Sequence, residues 1–231
     1  MGSNGGVLYA GALDGGELDI TETYSFDNEP VERDGRFVWD IDHIVEEVLV
    51  GLERTEQQVG AIDAVGVDTT GCDFGFVRDG ELMRDPYFYR DPDVTSTVPE
   101  IFEQVTKREV FMATGITHWH VPNSLFQYHF KYSRDPDLFE RADAVVNLPQ
   151  VVTTVLGGEP KQDGTITSTT QMYHVGEGRW ATELLGRLDL PTDVLPTVVD
   201  PGTSLGTLDP AYASRLEGDP VLRTTAGHDT A

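Results

Sequence analysis

Two short apolar runs, residues 61–67 (AIDAVGV) and 73–77 (DFGFV), flank the polar turn Asp68-Thr69-Thr70-Gly71. Runs this short, rich in β-branched and aromatic residues and bounded by glycine, predict strands and not helices. A polar loop joining buried strands is also where α/β sheets dock their ligands. Upstream, residues 7–13 are apolar, Asp14-Gly15-Gly16 is a turn signal and residues 17–26 partly alternate, which predicts a β-hairpin. Arg36-Phe37-Val38-Trp39 reads as a short strand. Asp40 then caps a helix with apolar positions at Ile41, Ile44, Val45, Val48, Leu49 and Leu52, ending near Gly60. Arg78-Asp79-Gly80 turns a second hairpin into Glu81-Leu82-Met83.

From about Asp91 the texture becomes helical, with helices expected over 98–111, 123–132, 136–142 and 149–156 and a strand over 144–147. A polar stretch runs through Thr170, a helix is expected over 180–188, and loops rich in Pro and Gly follow from Pro191 to Pro210. Strands first and helices alternating later predict a mixed β-sheet with flanking helices, an α/β fold in one domain. With 39% hydrophobic residues in 231, the chain has ample material for a core.

Charge narrows the partners. Forty acidic residues against sixteen basic ones give a net charge of -24, and three of the sixteen are lysines, Lys107, Lys131 and Lys161. Nucleic acid and anionic membrane surfaces need a basic patch, so neither is an expected partner. The acids are dispersed along the chain, which fits a halophilic protein whose self-repulsion is screened by salt. The single cysteine, Cys72, excludes an intrachain disulfide and a cysteine-rich zinc site. No run reaches the roughly 18 apolar residues of a membrane span, and the start lacks a signal peptide's charged and apolar regions, so a cytoplasmic location is expected.

Several segments suit chemistry. Gly2-Ser3-Asn4-Gly5-Gly6 leads into a strand, and its backbone amides with the Ser3 hydroxyl suit phosphate oxygens as readily as a flexible terminus. In the 68–71 turn, Asp68 and Thr69 either satisfy local backbone groups or face a ligand. Arg90 and Asp91 form either a solvated pair or part of a polar site. His118 and His120 invite a metal, but no third ligand has recognisable spacing, so none is assigned; Asn123 is expected to cap a helix. The chain closes on Ala226-Gly227-His228-Asp229-Thr230-Ala231, where small residues around a base suit a tight loop against a ligand.

Taken in order, these segments resemble the FGGY carbohydrate kinases, and among them the rhamnulokinases. Gly66-Val67-Asp68-Thr69-Thr70-Gly71-Cys72-Asp73-Phe74 is similar to the family's Ile-Asp-Thr-Trp-Gly-Val-Asp-Phe run, with Thr70 in place of tryptophan. Tyr89-Arg90-Asp91, the 114–127 segment, residues 165–171 (TITSTTQ), residues 31–41 (VERDGRFVWDI) and Pro201-Gly202-Thr203-Ser204-Leu205-Gly206 match further motifs in the same order. Gly2 to Gly6 matches the second half of the family's phosphate hairpin, without its arginine or the preceding strand and aspartate. His228-Asp229-Thr230 matches the catalytic loop.

The resemblance implies an actin-like ATPase (ribonuclease H-like) fold and ATP-dependent phosphorylation of a ketose with Mg2+, L-rhamnulose to L-rhamnulose 1-phosphate. A kinase for L-fuculose, L-ribulose or D-xylulose, or a non-catalytic sugar-binding remnant, remains open. It assigns Asp229 as the base, Gly71, His228, Thr230, Arg90 and Asp91 to the sugar, and Gly2, Ser3, Asn4, Gly5 and Gly6 to the nucleotide. Residues 1–231 then form the N-terminal, sugar-binding domain. A C-terminal adenosine-binding domain, in cis or in trans, lies outside it, so the chain alone is expected to be nearly inactive and its final loop frayed.

Overall fold

The computed structural model describes every residue except Ser3, Asp91, His120, Val121, Pro122 and Ala231, and every described side chain except those of Pro92 and Thr95. Strands β1 (Gly5–Asp14) and β2 (Glu17–Asp27) form the expected hairpin, followed by a smaller one of β3 (Val31–Arg33) and β4 (Arg36–Val38). Helix α1 (Ile41–Val59) comes next, then β5 (Ala64–Gly66), β6 (Phe74–Arg78) and β7 (Glu81–Leu82). A 3-10 turn (Pro92–Ser96) leads into α2 (Thr97–Gln104), α3 (Lys107–Thr114), α4 (Ser124–Arg134) and α5 (Pro136–Arg141). The rest is β8 (Ala144–Asn147), α6 (Leu148–Val155), β9 (Gln162–Asp163), α7 (Gly164–Ser168), β10 (Tyr173–His174), β11 (Arg179–Trp180), α8 (Thr182–Arg187), β12 (Val198–Val199), β13 (Ser204–Thr207), α9 (Pro210–Ala213) and β14 (Val221–Arg223).

Hairpin turns follow their local chemistry. Gly15-Gly16, Asp34-Gly35 and Asp79-Gly80 all hold positive φ at both central positions, the twist that joins antiparallel strands through two residues. Asp40 caps α1 by accepting the His43 backbone N–H, and Gly60 ends it at φ 86. Helix α1 lies against the first hairpin at Gly51, where a Cβ would fall 2.6 Å from the Leu8 side chain and 2.8 Å from that of Tyr24.

The sheet is more divided than the sequence suggests. Strands β5 and β6 belong to different ladders, β13-β14-β5 and β7-β6-β8, because the loop between them turns away. Strand β6 is buried on both faces and separates two cores. Phe74, Phe76 and Val145 face the cluster built by Leu125, Phe126, Tyr128 and Phe139. Val77, Ala144 and Val146 face Trp39, Ile44, Leu49 and Val151. Gly75 gives α6 room on that second face, since a Cβ there would lie 2.8 Å from Val151.

One expected helix, 98–111, is two. Thr106 accepts the Glu109 N–H at 3.2 Å while the Glu109 carboxylate accepts the Thr106 N–H at 2.7 Å, a capping box that starts a new helix inside the apolar periodicity. The helix expected over 180–188 begins at Thr182, because Arg179 and Trp180 pair with His174 and Tyr173. Strand β14, absent from the sequence reading, forms between β13 and β5.

The backbone and hydroxyl of Thr106, together with the Arg187 guanidinium, hold the Glu109 carboxyl down at about 2, against an ordinary value of 4.5. A depressed carboxylate adds stability above its unfolded value and loses it as pH falls through its folded one. Parent chain and Glu109→Gln are therefore expected to differ in melting temperature at pH 6, the gap shrinking steadily below about pH 4.5. A pH-independent gap would contradict the capping role.

Candidate functional site

Strands β5 and β14 run parallel, with Ala64, Val65 and Gly66 opposite Val221, Leu222 and Arg223. Their carboxyl ends therefore leave the sheet side by side, the place where α/β sheets open a crevice. The pairing resumes one step further on. Thr69 N–H donates to the Gly227 carbonyl and Asp229 N–H to the Thr69 carbonyl, both at 3.0 Å, and the Thr225 hydroxyl donates to the Val67 carbonyl at 2.9 Å. The 68–71 turn and the 226–230 loop are thus one unit. These bonds hold the segment through Asp229, which the sequence alone left to fray.

Gly71 is required by close approach. A Cβ there would stand 3.1 Å from the Thr169 hydroxyl and 3.2 Å from two atoms of the His228 ring. His228 Nε2 lies 3.5 Å from Asp229 Oδ1, and the Thr230 hydroxyl donates to the same oxygen at 3.1 Å. The Asp229 side chain keeps 39% of its surface exposed, leaving it able to meet a ligand. Cys72 adopts φ 79, a conformation costly for a residue with a Cβ. Its thiol is pushed up to about 12 by burial and by the charges of Asp73 and Asp229, so it stays protonated and unreactive.

Asp73 anchors this strained loop from beneath. Fully buried, it accepts Trp39 Nε1–H at 2.6 Å, Gln127 Nε2–H at 3.0 Å and the Tyr89 N–H at 3.1 Å. Burial raises its carboxyl to about 6, opposed by Trp39, Gln127, the Lys131 ammonium and Tyr89. The three donors favour its carboxylate form. The Asp73 carbonyl takes the Asn147 side chain at 3.1 Å and the Leu148 N–H at 3.0 Å, while the Cys72 carbonyl takes the Ser124 hydroxyl at 2.8 Å.

Other expected residues are placed differently. Met1 runs beside the 68–70 turn, its amine donating to the Asp68 carbonyl and its carbonyl accepting the Thr70 N–H. Gly5 and Gly6, however, are drawn into β1 opposite Asp27 and Phe26, and Phe26 accounts for their missing Cβ. Gly2 N–H is bonded to the Gly5 carbonyl; Ser3 lies outside the described residues. Arg90 donates to the Tyr89 hydroxyl at 2.9 Å and shares a cavity of about 260 Å³ with Asn4, Glu29, Pro30 and Phe88. Asp91 and His120 lie outside the described residues. Asn123 stands at the α4 N-cap position without capping it; its amide donates to Gln171 Oε1 at 2.8 Å and to the His118 carbonyl at 2.9 Å. Among the described residues no three His, Cys, Asp or Glu side chains converge as a metal group.

Asp163 stands beside the site without having been singled out from the sequence, and Thr165 and Thr169, noted there only within the 165–171 motif, stand beside it too. Asp163 caps α7, and the Asp-x-Thr spacing ahead of residues 165–171 was the available signal.

A family model for the FGGY carbohydrate kinases, N-terminal domain, matches residues 20–231. Rhamnulokinase of Ligilactobacillus salivarius is 30% identical over 100% of this chain and 47% of its own length. Rhamnulokinase of Bacteroides thetaiotaomicron is 32% identical over 100% of this chain and 48% of its own. The ligand-bound xylulose kinase from Lactobacillus acidophilus superposes with a TM-score of 0.80 at 19% identity, over 98% of this chain and 46% of that one. The fold is thus the actin-like ATPase α/β fold of these sugar kinases, and the chain spans about half the length of the curated relatives it matches.

Replacing Asp73 by Asn sets an amide N–H against buried donors and removes the charge facing Lys131. A loss of about 3 kcal/mol in urea unfolding is expected; a change under ~0.5 kcal/mol would show that the network does not carry the loop.

Proposed function

Because the chain belongs to the FGGY family of carbohydrate kinases, we propose that it is the sugar-holding, N-terminal half of a kinase that phosphorylates a ketose with ATP, with L-rhamnulose as the substrate. The reading rests on the Thr69–His228 pairing, which sets a general base and two hydrogen-bonding side chains beside Gly71, whose missing Cβ makes room for the His228 ring and Thr169. A sugar hydroxyl gives up its proton reluctantly, so a carboxylate in reach accelerates its attack. Asp229 takes that proton. His228 and Thr230 flank it and orient the sugar, Gly71 offers its backbone to the sugar, and Arg90 contributes from a cavity of its own, with Asp91 beside it in sequence.

ATP supplies the phosphoryl group in such a reaction, with Mg2+ balancing its charge. Gly2, Ser3, Asn4, Gly5 and Gly6 are kept for the nucleotide's phosphates, and its adenosine is assigned to a second, adenosine-binding half in cis or in trans. Such a half also excludes water on closing. A single free cysteine and an ATP-dependent reaction fit a cytoplasmic setting. Thr70, standing where the rhamnulokinase pattern has tryptophan, favours a second reading in which another ketose, such as L-fuculose, L-ribulose or D-xylulose, fills a wider pocket.

Calorimetry with a panel of ketoses is expected to show binding to the 231-residue chain, strongest for L-rhamnulose, without ATP turnover. Asp229→Asn, in the protein completed by its second half, is expected to lower kcat by about 10²–10⁴-fold while leaving sugar binding nearly intact. Robust phosphorylation of L-rhamnulose by the 231 residues alone would sink the two-half assignment.

A further inference from the structure

The 226–230 loop is held from two sides. On one, Thr69 takes and gives the backbone bonds already described. On the other stand Asp163 and Thr165, neither of which the proposed chemistry uses.

Asp163 is fully buried at the end of β9, which pairs in parallel with β12. Its Oδ1 accepts the Thr165 N–H at 2.7 Å, the Thr165 hydroxyl at 2.5 Å and the Ile166 N–H at 3.3 Å. Oδ2 accepts the Gly227 N–H at 3.3 Å. Because the Thr165 hydroxyl spends its proton on Asp163, its lone pair is turned towards the His228 N–H, 3.4 Å away. Gly227 completes the fit, since a Cβ there would stand 2.5 Å from Asp163 Oδ2 and 3.4 Å from Pro149. Thr165, Ile166 and Gly227 all donate to the Asp163 carboxylate, so an uncharged amide in its place always turns an N–H against one of them.

We infer that Asp163 and Thr165 are positioning residues: a buried carboxylate–hydroxyl clamp that sets the register of Gly227 and His228 and so aims Asp229 at the sugar. The clamp rests on the sugar-kinase reading for its purpose, but its geometry stands apart from it. Asp163 reaches the backbone of the loop directly at Gly227 and through Thr165 at His228. Neither side chain needs to touch the sugar. With Thr69 on one side and the clamp on the other, the N–H groups of Gly227, His228 and Asp229 are each bonded, and a carboxylate displaced by even 1 Å is a poor base.

Two measurements on the 231-residue chain test this, using Thr165→Val, Thr165→Ser and Asp163→Asn. Thr165→Val keeps the side-chain volume and loses the hydroxyl, whereas Thr165→Ser keeps the hydroxyl. Amide exchange at residues 227–229 is expected to accelerate about tenfold in Thr165→Val and Asp163→Asn and to stay near the parent rate in Thr165→Ser. Titration with L-rhamnulose is expected to show the same order, an affinity about tenfold lower in Thr165→Val and retained in Thr165→Ser, with melting temperatures of the two Thr165 variants alike. Parent-like exchange in Thr165→Val, equal behaviour of the Val and Ser variants, or unchanged sugar affinity in Thr165→Val overturns the clamp. If the parent chain binds no ketose of the panel, the sugar-kinase reading fails and the exchange rates alone decide the clamp. If Asp163→Asn does not fold, the Thr165 pair decides it.

Discussion

Asp73 is the interaction on which the rest depends. A fully buried carboxylate is tolerable when donors replace its lost water, and here they come from segments far apart in the chain: Trp39 before α1, Tyr89 in the loop after β7, and Gln127 on α4. The same residue's carbonyl receives Asn147 and Leu148 at the junction of β8 and α6. Both core layers meet β6, and Asp73 stands immediately before that strand, so the two cores share one polar anchor. The loop above it inherits that rigidity. Cys72 can be held at a left-handed φ because Asp73 below and Ser124 beside it leave the chain no relaxed alternative.

The site is then a consequence of parallel pairing. Two strands that run the same way discharge their loops at the same edge, and β5 and β14 do so, with Thr69 bridging His228 after a two-residue shift of register. Close contact demands small residues at the crossing points. Gly71 is required by His228 and Thr169, and Gly227 by Asp163. Fully buried carboxylates therefore support the site at two levels, Asp73 under the 68–72 segment and Asp163 behind the 226–230 segment. The surface works differently. Arg179 binds Glu177 and Glu183 in pairs largely open to solvent, and such pairs add little stability and weaken with salt, whereas Arg215, which binds Glu46 and Glu53, is partly buried.

Much of the local structure was legible beforehand. The hairpin at Gly15-Gly16, helix α1 between Asp40 and Gly60, and strand β8 follow from turn chemistry, caps and periodicity confined to a few neighbouring residues. The break between α2 and α3 was also written locally, in Thr106 and Glu109, but the apolar spacing running through it masked the signal. Strand β14 was not legible, because three residues have no usable period and exist as a strand through their neighbours β13 and β5. Asn123 had the right residue type and position for a cap, yet its amide serves Gln171 and His118, partners supplied by tertiary packing.

The amino-acid sequence by itself determined the class of fold and many of the local elements, since these depend on short-range pattern and on motifs carried in order along the chain. Tertiary structure alone decided that Gly71 touches His228, that Gly5 and Gly6 pack in a strand, and that Asp73 and Asp163 are buried supports and not solvent-facing acids. The physical reason is that burial and parallel pairing couple positions far apart in the chain. A lone aspartate in a sequence looks the same whether water or four donors surround it.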